Sequence, residues 1–367
     1  MIKRKFTTMT AELLALQDWL AGHNIARVGM ESTSDYWRPV FYLLEQRFDC
    51  WLLNARHMRA VPGRKTDMTD AEWICDLVAL GLVRPSFVPP PPIRRLRDLT
   101  RRRAILLAER TREKQRMEKL LEDAGIKLSV VATDIFGKSG RAMLDALIAG
   151  ERDPKVLAEL AMGRLRKKIP ALAEALVGRF DDHHAFLARM ICDHIDTISR
   201  MVAELNTRID TEIEPYRTEV ELLGSLPGVD TRTAEVILAE IGTDMSRFPT
   251  AAHLASWAGA CPGNNKTGGK SKPSHTRPGD RWLKAVAIPR KRGDLRLTDL
   301  GSGSVLRAGF RRRVQGAPPA AGVNAGRRPP AGLGVEAGED GATLGSRKRV
   351  DHAACSGGSS RVVRLRS

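Results

Sequence analysis

Aromatic residues are scarce, at 5% of 367, and no Trp or Tyr follows Trp282, so the C-terminal stretch has little from which to build a core. No run of about 18 apolar residues occurs, which excludes a membrane-spanning helix. Met1 to Thr8 lacks the charged-then-apolar pattern of a secretory leader. The expected location is the cytoplasm, in association with the nucleoid. Cysteine is sparse as well: Cys50, Cys75, Cys192, Cys261 and Cys355 stand far apart with no C-x-x-C pair, which argues against a disulfide framework and a Cys-rich zinc site. Acids are in deficit, 43 against 60 Lys and Arg, giving a net charge of +17. Such a balance points to a polyanionic partner, with nucleic acid first among candidates. The 42% hydrophobic content over this length allows two or three packed domains.

The charge is uneven. Residues 288–367 carry +10 of the net +17, and there apolar periodicity gives way to Gly, Pro, Ala and Arg. A stretch of this composition cannot bury enough apolar surface to offset its ordering entropy, so disorder is expected over 288–367.

Before the tail, three segments are expected. Residues 1–88 alternate helical and extended signals: helix over Thr10–Ala21, strand over Ile25–Met30, helix over Tyr36–Gln46, strand over Cys50–Leu53, and a helix from Thr66 or Asp67 to Leu80, closed by Gly81. That order predicts an α/β domain with parallel strands. Pro89–Pro92 marks a boundary. Residues 89–217 read as helical, beginning with an Arg- and Lys-rich helix over Ile93–Ala124 that either follows phosphates, for instance through Arg101, Arg102 and Arg103, or presents a solvated face. Ile191, Ile195, Ile198, Val202, Leu205 and Ile209 follow a 4-3-4-3-4 spacing, the seam of a coiled coil suited to a homo-oligomer, and Pro215 ends it. Asp181, Asp182, His183, His184, Cys192 and His194 cluster just before that seam, but their spacing matches no standard metal site.

In residues 218–287, Leu226-Pro227-Gly228-Val229 joins two helical runs in a helix-hairpin-helix pattern, whose Gly228 turn would offer backbone N–H groups to a phosphate; a plain helical hairpin is the alternative. Three acids stand out in the first domain. Glu31 closes a strand, and Asp67 and Asp70 lie three apart on one helical face, where they could hold divalent metal for phosphodiester chemistry or simply favour a helix start.

Gly29-Met30-Glu31-Ser32-Thr33, Asn54-Ala55-Arg56-His57, Val61 to Ala71 and Ala258 to Asn265 together closely resemble the IS-one-ten family of insertion-sequence transposases, from about Thr8 to Ala287. The resemblance implies a ribonuclease-H-like domain similar to Holliday-junction resolvases, with four acids in the order Asp, Glu, Asp, Asp. A helical coiled-coil segment and a transposase domain with a nucleophilic serine follow, and a guide RNA encoded by the element directs cutting and rejoining of DNA. Glu31, Asp67 and Asp70 then match the second, third and fourth acids, with Mg²⁺ as the implied cofactor. The first Asp belongs to an opening strand expected ahead of Met1, and Lys3–Phe6 matches the third strand, so this domain reads as incomplete. The serine position holds Thr267, with Ser271 and Ser274 shifted in register, and Lys266, Lys270, Lys272 and Arg277 suit a scissile phosphate, as Arg64 and Lys65 suit the DNA or RNA backbone. Past Ala287 the match stops, which a frameshift near codon 288 explains; a genuine basic tail is the rival.

The expected architecture is therefore α/β plus α, and the expected function is transposition of the element's own DNA into target DNA. A catalytically inactive nucleic-acid-binding remnant and a metal-dependent nuclease are the alternatives.

Overall fold

The computed structural model describes residues 2–32, 34–54, 67–261, 266–267, 270–271, 279–287, 349–355 and 362–365. They fall into two compact units, residues 1–88 with 319–367 and residues 89–318.

Apolar spacing of three and four builds α1 (Thr10–Gly22), which buries Leu13, Leu16 and Leu20, and α2 (Trp37–Leu44), which buries Val40, Phe41 and Leu44. Both cover one face of a five-stranded sheet together with Phe6, Val28, Met30 and Leu52. The sheet contains β1 (Ile2–Thr7), β2 (Arg27–Glu31) and β3 (Asp49–Leu53). The second apolar layer is made by α3 (Asp67–Ala79), whose Ile74, Cys75, Leu77 and Val78 gather with Leu53 and Val83. β2 and β3 run parallel, with Glu31 opposite Leu53. An α/β unit with parallel strands is thus present, although β1 does not adjoin them.

The strands between β1 and β2 come from the basic tail. β6 (Arg349–Cys355) pairs antiparallel with β1, β7 (Val362–Leu365) pairs antiparallel with β6, and β7 lies parallel to β2, in the order β1-β6-β7-β2-β3. This corrects the expectation of disorder throughout 288–367. The composition of eighty residues averages away two short runs, and strand pairing is satisfied by main-chain hydrogen bonds, which any sequence without proline supplies.

Among its described residues the second unit is helical apart from one small hairpin. α4 (Pro91–Asp123) starts with proline in its first turn, where the missing N–H costs nothing, and α9 (Asp182–Ile213) returns beside it. Arg95 reaches Glu212 at one end and His184 reaches Asp123 at the other, so the two helices are antiparallel. The heptad seam of α9 is filled by this partner: Leu106 packs with Ile198, Val202 and Leu205. Within the chain the seam packs on α4, which carries its own apolar stripe under the arginines. α5 (Leu128–Val131), α6 (Lys138–Ile148), α7 (Pro154–Glu159) and α8 (Ile169–Ala175) pack on the far ends of α4 and α9 around Met117, Leu144, Leu157 and Leu172.

At the near end lie α10 (Arg217–Gly224), α11 (Thr231–Ile241), α12 (Ala251–Trp257), a hairpin of β4 (Lys266–Thr267) with β5 (Lys270–Ser271), and α13 (Arg281–Ala287). No helix among the described residues is long and apolar enough to cross a membrane.

Candidate active site

Strand alternation positions Glu31. Val28 and Met30 face α1 and α2, so Gly29 and Glu31 face the layer of α3. A Cβ on Gly29 would stand 3.1 Å from Val78 Cγ2 and 3.4 Å from Ile74 Cγ2, which is why the strand carries glycine where the helix lies closest. Positions 67, 70, 74 and 78 fall on one helical stripe, and Ile74 and Val78 of it lie against Gly29, two residues before Glu31. The side chains of Asp67 and Asp70 lie outside the described residues. Glu31 is half-buried. Oxygen-only donors of this kind fit a hard divalent cation such as Mg²⁺. Among the described residues no group of three or more His, Cys, Asp or Glu could hold a metal. The polar cluster ahead of the seam is a helix start: Asp181 caps α9 through the His184 backbone N–H, and the His184 ring lies 2.6 Å from Asp181 Oδ1 and 3.2 Å from Asp123 Oδ2.

Thr267 stands in β4, paired with Lys270 of β5, and Lys266 pairs with Ser271. Arg64, Lys65, Lys272 and Arg277 lie outside the described residues, as do the side chains of Lys266, Thr267 and Lys270. The chain returns from this hairpin at a tight contact. A Cβ on Gly279 would lie 2.2 Å from Ala258 O, so only glycine lets the two backbones meet there. Thiol chemistry has no candidate at Cys50 or Cys192, because burial pushes these thiols up to about 12 and about 11.

The arginines of α4 divide by orientation. Arg101 donates Nε and Nη2 to the two oxygens of Glu240, both at 2.7 Å, and reaches Asp280 Oδ2 at 3.1 Å. Arg103 donates to Glu235 at 2.6 Å, and Arg232 holds the other oxygen of Glu235 at 2.8 Å. These placements remove Arg101 and Arg103 from the expected phosphate contacts. Each faces a buried acid of α11, and only Arg102 of the three is exposed. Burial pushes Glu240 up to about 7, against the pull of Arg101. Burial also lowers Arg97, while in Arg101 the bonds to Glu240 outweigh burial and the net shift is upward.

Gly228 adopts φ +81°, with Val229 N donating to Leu226 O at 3.1 Å, and Asp230 caps α11 through the Thr233 N–H. The L-P-G-V run thus forms a tight turn between α10 and α11, a position that requires a residue tolerant of positive φ.

Two family models match the chain: a DEDD transposase domain of the IS110 type, described as Transposase, over residues 1–126, and one described as Transposase IS116/IS110/IS902 family over residues 220–288. The chain belongs to the IS110 family of transposases. Among curated relatives it is 26% identical over 233 residues to the transposase for insertion sequence element IS1328 of Yersinia enterocolitica, covering 62% of this chain and 58% of that one. It is 28% identical over 244 residues to the insertion element IS116 uncharacterized 44.8 kDa protein of Streptomyces clavuligerus, covering 60% and 59%. A 64-residue stretch is 48% identical to the insertion element IS110 uncharacterized 43.6 kDa protein of Streptomyces coelicolor, 17% of this chain and 16% of that one. The chain spans less than two thirds of the length of each of these relatives.

The first of these models covers the strand and helix that carry the acids, and the second covers the hairpin that carries Thr267. Sequence reasoning missed Glu235, Glu240 and Asp280. The signal was available: two acids interrupt the otherwise apolar Ala234–Ile241 run, and Arg97 and Arg101 are spaced one turn apart on the preceding basic helix.

Proposed function

We propose that this chain is a transposase that cleaves and rejoins the DNA of its own insertion element. The observation that supports the reading is the close approach of α3 to β2 at Gly29, where an added Cβ would meet Val78 and Ile74, because helical spacing then puts positions 67 and 70 on the stripe of α3 that faces the strand bearing Glu31. Glu31, Asp67 and Asp70 would hold Mg²⁺, which when bound polarises the scissile phosphate. The Thr267 hydroxyl then attacks phosphorus. Its Oγ–P bond forms as the P–O bond to the leaving strand breaks, the hydroxyl proton passes to solvent, and the leaving oxygen takes up a proton. The resulting phosphodiester between protein and DNA keeps the bond energy needed for rejoining, so strand exchange requires no nucleotide hydrolysis. Lys266, Lys270, Lys272 and Arg277 neutralise the phosphate oxygens. Arg64, Lys65, Arg102 and the Gly228 turn grip DNA of element and target and a guide RNA.

A labelled nicked or junction DNA, incubated with the chain and Mg²⁺ and then denatured, tests the proposal. A protein–DNA adduct that disappears in Thr267→Ala supports it. Cutting without an adduct would mean a nuclease, and neither cutting nor adduct would mean a binding remnant.

A further inference from the structure

The residues that flank the Thr267 hairpin in sequence, Ala258–Gly259 before it and Gly279–Asp280 after it, meet within the helical unit, and Asp280 is held there by charge. Asp280 Oδ1 accepts from the backbone N–H groups of Trp282 at 2.9 Å and Leu283 at 2.8 Å, which starts α13. Its other oxygen accepts from Arg101. Arg101 forks onto Glu240, whose side chain is fully buried, and Arg97 lies 3.1 Å from the same carboxylate. Arg97 also donates to the carbonyls of Ala239 at 3.0 Å and Glu240 at 2.6 Å, the last turn of α11. One residue before Asp280, Gly279 is pressed against Ala258. Three helices and both ends of the Thr267 stretch therefore meet at one four-residue cluster.

Stability alone is a poor reason for such a cluster. Well-packed apolar residues in place of a buried ion pair are often neutral or stabilising, because taking charges out of water offsets much of their attraction. What directed pairs supply is register. A bidentate fork fixes Glu240 against α4 to within hydrogen-bond tolerance, and the second contact of Arg101 transfers that register to the first residue of α13.

We propose that Glu240 and Asp280, oriented by Arg97 and Arg101, are positioning residues that set where the β4–β5 hairpin and its hydroxyl stand relative to the helical body. The inference rests on the hydroxyl-transfer reading above. Asp280→Ser separates the two roles of Asp280, since serine still caps a helix but cannot reach Arg101. Glu240→Gln keeps the size of the side chain and removes the charge.

The test compares these two variants with the parent, each as the full chain, in melting temperature, DNA affinity, rate of adduct formation at saturating nicked DNA, and hydrogen exchange of the amides in Lys266–Ser271 and Arg281–Val286. Asp280→Ser is expected to melt within a few degrees of the parent, whereas Glu240→Gln, which removes the buried charge facing Arg97 and Arg101, should melt lower by about 6–12 °C; at a temperature where both are folded each should bind DNA within about threefold, while adduct formation slows by about tenfold or more. The ratio of parent to Glu240→Gln rates should shrink from about pH 8 to about pH 6, as Glu240, facing Arg97, Arg101 and Asp280, takes up the proton that the variant mimics. An unchanged rate in Asp280→Ser overturns the proposal, as does a loss no larger than the unfolded fraction. If the parent makes no adduct, the hydroxyl-transfer reading has failed, and exchange then decides positioning: faster exchange in Lys266–Ser271 with Arg281–Val286 still protected supports it, and unchanged exchange refutes it.

Discussion

Replacing Arg103 by Met separates the two uses open to an arginine on a basic helix. In the structure its side chain is 6% exposed and its guanidinium bonds Glu235, whose side chain is 1% exposed, at 2.6 Å. Removing one member of a buried pair leaves an uncompensated charge and costs about 3–5 kcal/mol. Glu235 keeps Arg232 at 2.8 Å, so the lower end applies, about 3 kcal/mol. For a unit of this size each kcal/mol moves the melting temperature by about 2–4 °C, giving a fall of about 6–12 °C. Adding Glu235→Leu should return most of that loss, to within about 1 kcal/mol, because Arg232 is 45% exposed and still has Asp210 at 3.2 Å. Melting of the full chain and DNA binding across salt concentrations make the assay. If Arg103→Met melts like the parent but loses affinity, with a salt slope shallower by about one, Arg103 is a phosphate contact and the internal ion-pair reading is wrong.

Gly29→Val would drive two methyl groups toward Ile74 and Val78, already 3.1–3.4 Å from the added Cβ. It should cost about 1–3 kcal/mol and lower DNA cleavage far more than DNA binding, as a cleavage assay beside a binding titration would read. Ending the chain before Arg349 removes both strands between β1 and β2, so proteolysis within residues 2–54 should accelerate while residues 89–261 keep their resistance; equal rates would deny these strands a structural role. Asp230→Ala should cost about 1 kcal/mol at neutral pH through the lost helix cap. The Thr233 backbone N–H holds the Asp230 carboxyl below its ordinary value of 3.8, so that stabilisation is present above pH 3.8 and fades as the pH falls through the lower folded value. Denaturant melts of parent and variant should accordingly converge in strong acid.

Local rules made the first unit readable. The Leu13, Leu16, Leu20 spacing defined α1, and Gly81 with φ +67° ended the turn after α3. Cys50–Leu53 matched β3 because a short apolar run between polar segments has few alternatives to a buried strand. The partners of charges were not readable. Arg101, Arg102 and Arg103 are identical in type and adjacent in sequence, yet the helix turns about 100° per residue, and only the fold reveals that two of them meet Glu240 and Glu235. The heptad seam of α9 was visible, but a 4-3 spacing does not say whether the partner is another copy or the same chain, and here it is α4. The tail strands were hidden for a different reason, since main-chain pairing leaves little trace in composition.

The central claim is that a hydroxyl in the hairpin, rather than water, opens the DNA strand. Mass spectrometry of the peptide left on DNA after proteolysis of a denatured reaction tests it most directly. The account predicts a nucleotide phosphate linked to Thr267; cleaved DNA ending in free phosphate and hydroxyl groups, with no peptide attached, would contradict it.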